Sequence, residues 1–275
     1  MRLLMPRLSI IIVTYNSRRD IEGCLTSLTG DGAPRVDHEI VAVDNASTDD
    51  TVSCLRERWP GGRVIAAGGN LGFAAANNLG IRQTFGELVL LLNPDTIVDR
   101  GAIDRLVATL DGQPNAAIVG PRIEDAEGRA ELSFGRMISP LAEARQKLLV
   151  VGGARQWPVV AGLVERMTRR ARTVDWVSGA CLLARRSDLD AVGLFDERFF
   201  MYTEDVDLCA SVRARGRAVL FEPSARIVHL RGRSRVSASS ATHAAYRRSH
   251  LAFYEKHHPR WAPLLRRYLR VRGQI

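Results

Sequence analysis

The run Leu88-Val89-Leu90-Leu91-Leu92, together with the turn that ends it, constrains this chain more than any other stretch. Five consecutive apolar residues, entered through Gly86-Glu87, read as a strand buried on both faces. The run stops abruptly at Asn93-Pro94-Asp95-Thr96. Asn, Pro and Asp are ordinary turn residues. In an open α/β sheet, however, ligands bind just beyond the carboxyl ends of the strands. A carboxylate held there can hold a divalent metal, and through it phosphates.

The same event recurs along the first 95 residues. Leu8–Val13 predicts a strand that exits in Thr14-Tyr15-Asn16. Ser17 and Asp20 have the spacing of a capping box, and Ile21, Cys24, Leu25 and Leu28 come next at helical spacing. Glu39–Val43 predicts a second strand, exiting in Asp44-Asn45-Ala46-Ser47-Thr48-Asp49-Asp50. Val52, Leu55 and Trp59 mark a helix-like stretch. Val64–Ala67 predicts a short strand, the loop Gly68-Gly69-Asn70-Leu71-Gly72 comes after it, and Phe73–Thr84 predicts a helix. This alternation implies βαβ units, a parallel sheet and right-handed crossovers with helices on both faces. Four polar exits then gather on one edge. One polar strand end is a turn; four on the same edge are a site. The glycine-rich loop is not GxGxxG, and no GKS or GKT occurs, which argues against a dinucleotide dehydrogenase and a P-loop NTPase.

Further on, residues 100–111 predict a helix and Ala116–Pro121 a strand. Residues 136–172 alternate basic and apolar residues and predict a helical insert, not a sheet element. It is either a solvated helix with one side on the core or an interfacial segment that meets anionic lipid. Val174–Ala184 predicts a strand interrupted at Ser178-Gly179-Ala180, where a ligand could approach the backbone. Thr203 is positioned to cap a helix whose first turn holds Glu204, Asp205 and Asp207. Acidic residues suit that end of a helix. Three carboxylates in four residues exceed what capping needs, so one is a candidate general base. Gly216 ends this helix, and Ala218–Phe221 predicts a strand. His229, beside Arg231 and Arg233, is a candidate group for a metal or a diphosphate. From about residue 236 a helical tail interleaves Arg266, Arg267 and Arg270 with apolar residues. It docks on the core, lies on a membrane, or does both.

With 46% hydrophobic and 25% charged residues, the chain has the composition of a soluble globular protein. The formal charge of +9 comes almost entirely from Arg and points to an anionic partner: nucleic acid, a membrane surface or a phosphorylated substrate. Cys24, Cys54, Cys181 and Cys209 lack CxxC or zinc spacing and read as reduced, apolar residues of a cytosolic protein. No apolar run reaches transmembrane length.

The series Val13-Thr14-Tyr15-Asn16, Val43–Asp49, Asn70-Leu71-Gly72-Phe73-Ala74, Asn93-Pro94-Asp95 and Glu204–Leu208 resembles the inverting family 2 glycosyltransferases of GT-A fold. The resemblance runs from about Leu8 to Ser234. The Asn-Pro-Asp form, the Asn-Leu-Gly-Phe loop and the late His-x-x-Gly-x-Ser look most like the bacterial rhamnosyltransferase branch. It implies an α/β, GT-A nucleotide-diphospho-sugar transferase fold: a Rossmann-like, mostly parallel sheet with helices on both faces, plus a C-terminal helical tail. Residues 1–235 would form that domain, with a nucleotide-binding half (1–96) and an acceptor and catalytic half (97–235). Residues 236–275 would form the tail. The implied activity is transfer of L-rhamnose from dTDP-rhamnose to a polyprenyl-diphosphate-linked glycan in cell-wall or surface polysaccharide synthesis. Donors carrying UDP or GDP remain open, and so do a nucleotidyltransferase, a silent sugar-nucleotide sensor and a basic nucleic-acid-binding protein. The last is disfavoured because no aromatic stacking platform is recognisable.

Carried over by residue, the resemblance assigns Asp205 as base, with Glu204 as its competitor. Thr14, Tyr15, Asn16, Asp44, Asn45, Asp49, Asn70, Gly72, Asn93, Asp95, Trp176, Gly179, Ala180 and Arg231 would line the nucleotide-sugar site. Asp95 and His229 would bind Mg²⁺ or Mn²⁺. Asn93 departs from the family's Asp-x-Asp motif and removes one negative charge from the metal site. The implied location is cytoplasmic, peripheral on the inner face of the cell membrane. Residues 136–172 and 236–275 would meet anionic lipid there.

Overall fold

The computed structural model describes residues 5–230 and 240–274. Four parallel strands carry the first part of the chain: β1 (Leu8–Thr14), β2 (His38–Asp44), β3 (Arg63–Ala66) and β4 (Leu88–Leu92). β1 lies between β2 and β4, and β3 lies outside β2. Their carboxyl ends therefore share one edge. Every residue of β1 and β4 is buried, because successive side chains feed two cores. Ile10 and Ile12 pack with α1 (Ile21–Thr29) and α4 (Ala102–Asp111) on one face. Ile11 and Val13 pack with α3 (Gly72–Arg82) and α8 (Glu204–Ala214) on the other. Each fully buried side chain of this size contributes about 1.5–3 kcal/mol, and two-sided burial explains the unbroken apolar runs.

The sheet continues through β11 (Cys181–Arg185), β6 (Ala116–Glu124), β12 (Ala218–His229) and β5 (Thr96–Val98). β11 runs antiparallel between β4 and β6. β5 pairs with the end of β12, so that Thr96 faces His229. α2 (Thr51–Arg58) and α7 (Arg186–Val192) complete the layers. β7 (Ala130–Glu131) pairs with β6, and β8 (Phe134–Gly135) pairs with β10 (Trp176–Val177). The insert is helical, as predicted, in α5 (Pro140–Ala154) and α6 (Pro158–Met167).

Several local expectations are corrected. The Ser17–Asp20 capping box does not form: α1 has no side-chain cap, and Tyr15 N donates to Ser17 Oγ instead. Thr203 does not cap α8 through its side chain; its φ is +66° and its hydroxyl is buried without a hydrogen-bond partner. Val174–Ala184 is not one strand but the end of β9 (Arg172–Val174), then β10, then the start of β11. β9 also brings the end of the insert into the sheet, against β12. Ala218–Phe221 and the segment ending at His229 are one strand with a bulge between Glu222 and Arg226.

The tail docks on the core. Phe253 of α9 (Ser240–His257) is fully buried against Phe199 and Val206. Asp207 of α8, 2% exposed, accepts from Lys256 Nζ at 2.9 Å and His257 Nε2 at 2.6 Å. Lys256 also reaches Asp196, and Ser249 Oγ donates to the Met201 carbonyl. Tyr254 and His250 both bond Glu143 on α5. α10 (Ala262–Val271) comes last and buries Ala262 and Leu269. Among the described residues no helix is long and apolar enough to cross a membrane. The four cysteines are buried and unpaired; burial pushes the Cys24 thiol up to about 12, which disfavours its thiolate.

Candidate active site

Three elements meet at the dipeptide Gly179-Ala180. Asn93 N, at the exit of β4, donates to the Ala180 carbonyl at 2.9 Å. Gly179 N donates to Asp205 Oδ2 at 2.8 Å. The Asp95 side and the Asp205 side of the cleft are thus tied through two residues. A Cβ on Gly179 would stand 3.4 Å from both Asp205 Cβ and the Phe73 ring, so the backbone closely approaches both.

On one side, His229 Nε2 lies 3.1 Å from Asp95 Oδ1 and 3.5 Å from Asn93 Nδ2. The β5–β12 pairing makes this contact, and Leu230 N fixes it by donating to the Asp95 carbonyl. Glu131, absent from the sequence-derived site, stands 4.0 Å from His229 Nδ1. No three His, Cys, Asp or Glu side chains form a metal cluster among the described residues. One carboxylate and one imidazole form a sparse but suitable donor set for a divalent ion whose remaining ligands are phosphate oxygens and water. The pair fits such an ion better than a closed structural metal site.

On the other side, Asp205 opens α8. Its Oδ2 accepts from Gly179 N and its Oδ1 from Val206 N, so two backbone donors orient the carboxylate. Glu204 differs sharply. It is buried, its Oε2 has no hydrogen-bond partner, and burial, with the adjacent Asp205 charge second, pushes its carboxyl well above the usual range. Burial thus favours the neutral form of Glu204. Directly before the pair, Tyr202 and Thr203 have φ of +70° and +66°. Two consecutive non-glycine residues in this region store about 1–3 kcal/mol each, held by the surrounding packing.

The remaining predicted residues sort into two groups. Thr14 and Asp44 bond each other at the ends of β1 and β2, and Tyr15 beside them is half exposed. Asp44 also accepts from Ser47 N. The second group ties loops together. Asn16 Oδ1 accepts from Thr48 N at 2.7 Å, and Asp49 holds Arg18 N and both donors of Thr51. Asn45 bonds Asn70 Oδ1 and Leu71 N, and Asn70 Oδ1 also accepts from Gly72 N. Gly72 has φ +81°, and a Cβ there would sit 2.3 Å from the Phe200 carbonyl. The same carbonyl accepts from Phe73 N at 2.7 Å, which joins the Asn70–Gly72 loop to the segment leading into Asp205. Trp176 is half-buried, with Nε1 donating to the Arg136 carbonyl. Arg231 lies outside the described residues.

A sheet with these strand-end groups and a carboxylate at the start of the facing helix has the GT-A architecture of nucleotide-sugar transferases. The model of glycosyl transferase family 2 matches residues 9–192, and the chain belongs to that family; it is a glycosyltransferase. The chain is 33% identical to the N-acetylglucosaminyl-diphospho-decaprenol L-rhamnosyltransferase of Mycobacterium tuberculosis, over 98% of this chain and 94% of that protein. It is 30% identical to the low-salt glycan biosynthesis hexosyltransferase Agl10 of Haloferax volcanii, over 76% of this chain and 62% of that one. The mannosyltransferase PcManGT of Pyrobaculum calidifontis, solved with GDP-Man and Mn²⁺, superposes with a TM-score of 0.62 at 20% identity. That match covers 96% of this chain and 69% of the other. At that identity it shows the fold alone.

Proposed function

We propose that this glycosyltransferase moves L-rhamnose from dTDP-rhamnose to a sugar hydroxyl of a polyprenyl-diphosphate-linked acceptor, with inversion. The observation that carries the reading is the 33% identity, across nearly the whole of both chains, to a rhamnosyltransferase named for such an acceptor. Asp205 is the base. It takes the proton of the acceptor hydroxyl while that oxygen forms a bond to the anomeric carbon. The bond from that carbon to the nucleoside diphosphate breaks on the opposite face, and the configuration inverts. Thr14, Tyr15 and Asp44 line the nucleoside site, while Asn16, Asn45, Asp49, Asn70 and Gly72 hold its loops in place. Asn93, Gly179, Ala180 and Trp176 form the wall between donor and acceptor. Asp95 and His229 would hold Mg²⁺ or Mn²⁺. Such an ion would neutralise charge on the departing diphosphate.

Thermal stabilisation by dTDP, UDP and GDP, with and without Mn²⁺ or Mg²⁺, tests the donor, because selective binding to the folded state raises Tm. A metal-dependent shift largest with dTDP is expected. A larger shift with UDP or GDP would discard dTDP-rhamnose as the donor.

The enzyme works on an anionic membrane surface. Trp261, Leu264, Tyr268 and Val271 are exposed and form one stripe along α10, flanked by exposed Arg260, Arg267 and Arg270. Leu148, Trp157 and Val159 are exposed on the insert. Each basic residue near such a surface contributes about 1 kcal/mol. The protein should float with vesicles rich in anionic lipid and not with neutral ones, and Leu264→Asp should weaken that flotation. Equal partition to both vesicle types would refute the charge-dependent part.

A further inference from the structure

A groove of about 500 Å³ lies between α5, β8 and the β9–β10 segment. Its chemistry has two parts. Arg136, Arg145 and Arg172 line it, and no carboxylate pairs with any of the three among the described residues. The one acidic residue in its wall, Asp175, is already engaged by Arg213 at 2.8 Å and by Met137 N. Arg172 is held over the Phe134 ring, 5.6 Å from its centroid, which fixes one guanidinium in place. The second part is apolar: Phe134, Leu149 and Met167 share the same lining. Net positive charge beside an apolar wall matches an anion carrying a hydrocarbon chain.

The groove stands next to the acceptor wall. Asp175 precedes Trp176, whose indole bonds the Arg136 carbonyl, and Gly179 bonds the base. The chain from Asp175 to Gly179 reaches at most about 13 Å. This upper bound keeps the Asp175 end of the groove close to the backbone that bonds the base. The exposed Leu148 and Trp157 belong to the same insert.

We propose that this groove binds the isoprenyl diphosphate of the lipid-linked acceptor, the three arginines holding the diphosphate and Phe134, Leu149 and Met167 the first isoprene units. The proposal rests on the acceptor class proposed above, but its test does not depend on sugar transfer. Farnesyl diphosphate is titrated into the full chain by calorimetry, with saturating dTDP and Mg²⁺ occupying the donor site. Binding should weaken by about tenfold or more in Arg136→Ala/Arg145→Ala, with dTDP affinity and Tm unchanged. Both side chains are exposed, so folding should be preserved. Arg145→Glu, a charge reversal at one position, should weaken binding in the same direction. Farnesol should bind far more weakly than the diphosphate, and so should inorganic diphosphate. No binding by the wild type, or undiminished binding by both variants, would overturn the proposal. Equal binding of inorganic diphosphate would reduce the groove to a simple anion site and equally refute it. If the groove binds as expected while rhamnose transfer fails, the donor assignment falls and the groove stands.

Discussion

Asp205→Asn should lower transfer by about 10²-fold or more while dTDP still raises Tm as in the wild type. Asn has the same shape and keeps an oxygen for Gly179 N, but it gives up the bond from Val206 N and cannot take the acceptor proton. Glu204→Gln should behave oppositely and keep transfer within a few-fold, because Glu204 is buried and its neutral form, which Gln mimics, is favoured there. The sign of its pH effect comes from linkage. With the native carboxyl raised, the folded protein binds more protons than the unfolded chain above about pH 4.3. The wild type therefore loses stability as pH rises from there through the raised native value. Gln does not titrate, so the Tm advantage of Glu204→Gln should grow with pH. Full activity in Asp205→Asn, or loss of activity in a folded Glu204→Gln, would move the base to Glu204.

Phe253→Ala should destabilise the fold by about 3–5 kcal/mol, read from denaturant midpoints. The ring is fully buried between Phe199 and Val206, and removing it leaves a cavity directly behind α8. Because Val206 adjoins Asp205, kcat should fall more than the affinity for dTDP. Phe253→Leu, which refills most of the space, should recover most of both. A loss below about 1 kcal/mol, within the range of ordinary surface changes and small repackings, would show that α9 does not support the catalytic helix.

The parallel half of the sheet is legible in the sequence because its strands are buried on both faces. Leu88–Leu92 and Ile10–Val13 leave no alternative pattern, and their polar exits mark the edge where ligands bind. Caps are less legible. Ser17 and Thr203 are suitable residues at suitable positions, but a local turn takes the Ser17 hydroxyl and a left-handed φ turns Thr203 away. Nor does the sequence distinguish a polar residue that faces a ligand from one that ties loops. Asn16, Asn45 and Asp49 sit among the exits, yet their side chains are spent on neighbouring backbone and side-chain groups. Glu131 beside His229, and Lys256 and His257 on Asp207, carry no local signal, since each contact joins distant parts of the chain.

The clamp on Asp207 has a consequence for biosynthesis. His257 lies 50 residues beyond its partner, whereas the strands that frame the nucleotide edge are complete by Leu92. At about 5–20 residues per second, the ribosome releases the donor edge well before the support for the base. A chain stalled before α9 would carry the donor-binding edge without a secured catalytic helix. Full activity is therefore expected only after α9 has left the ribosome.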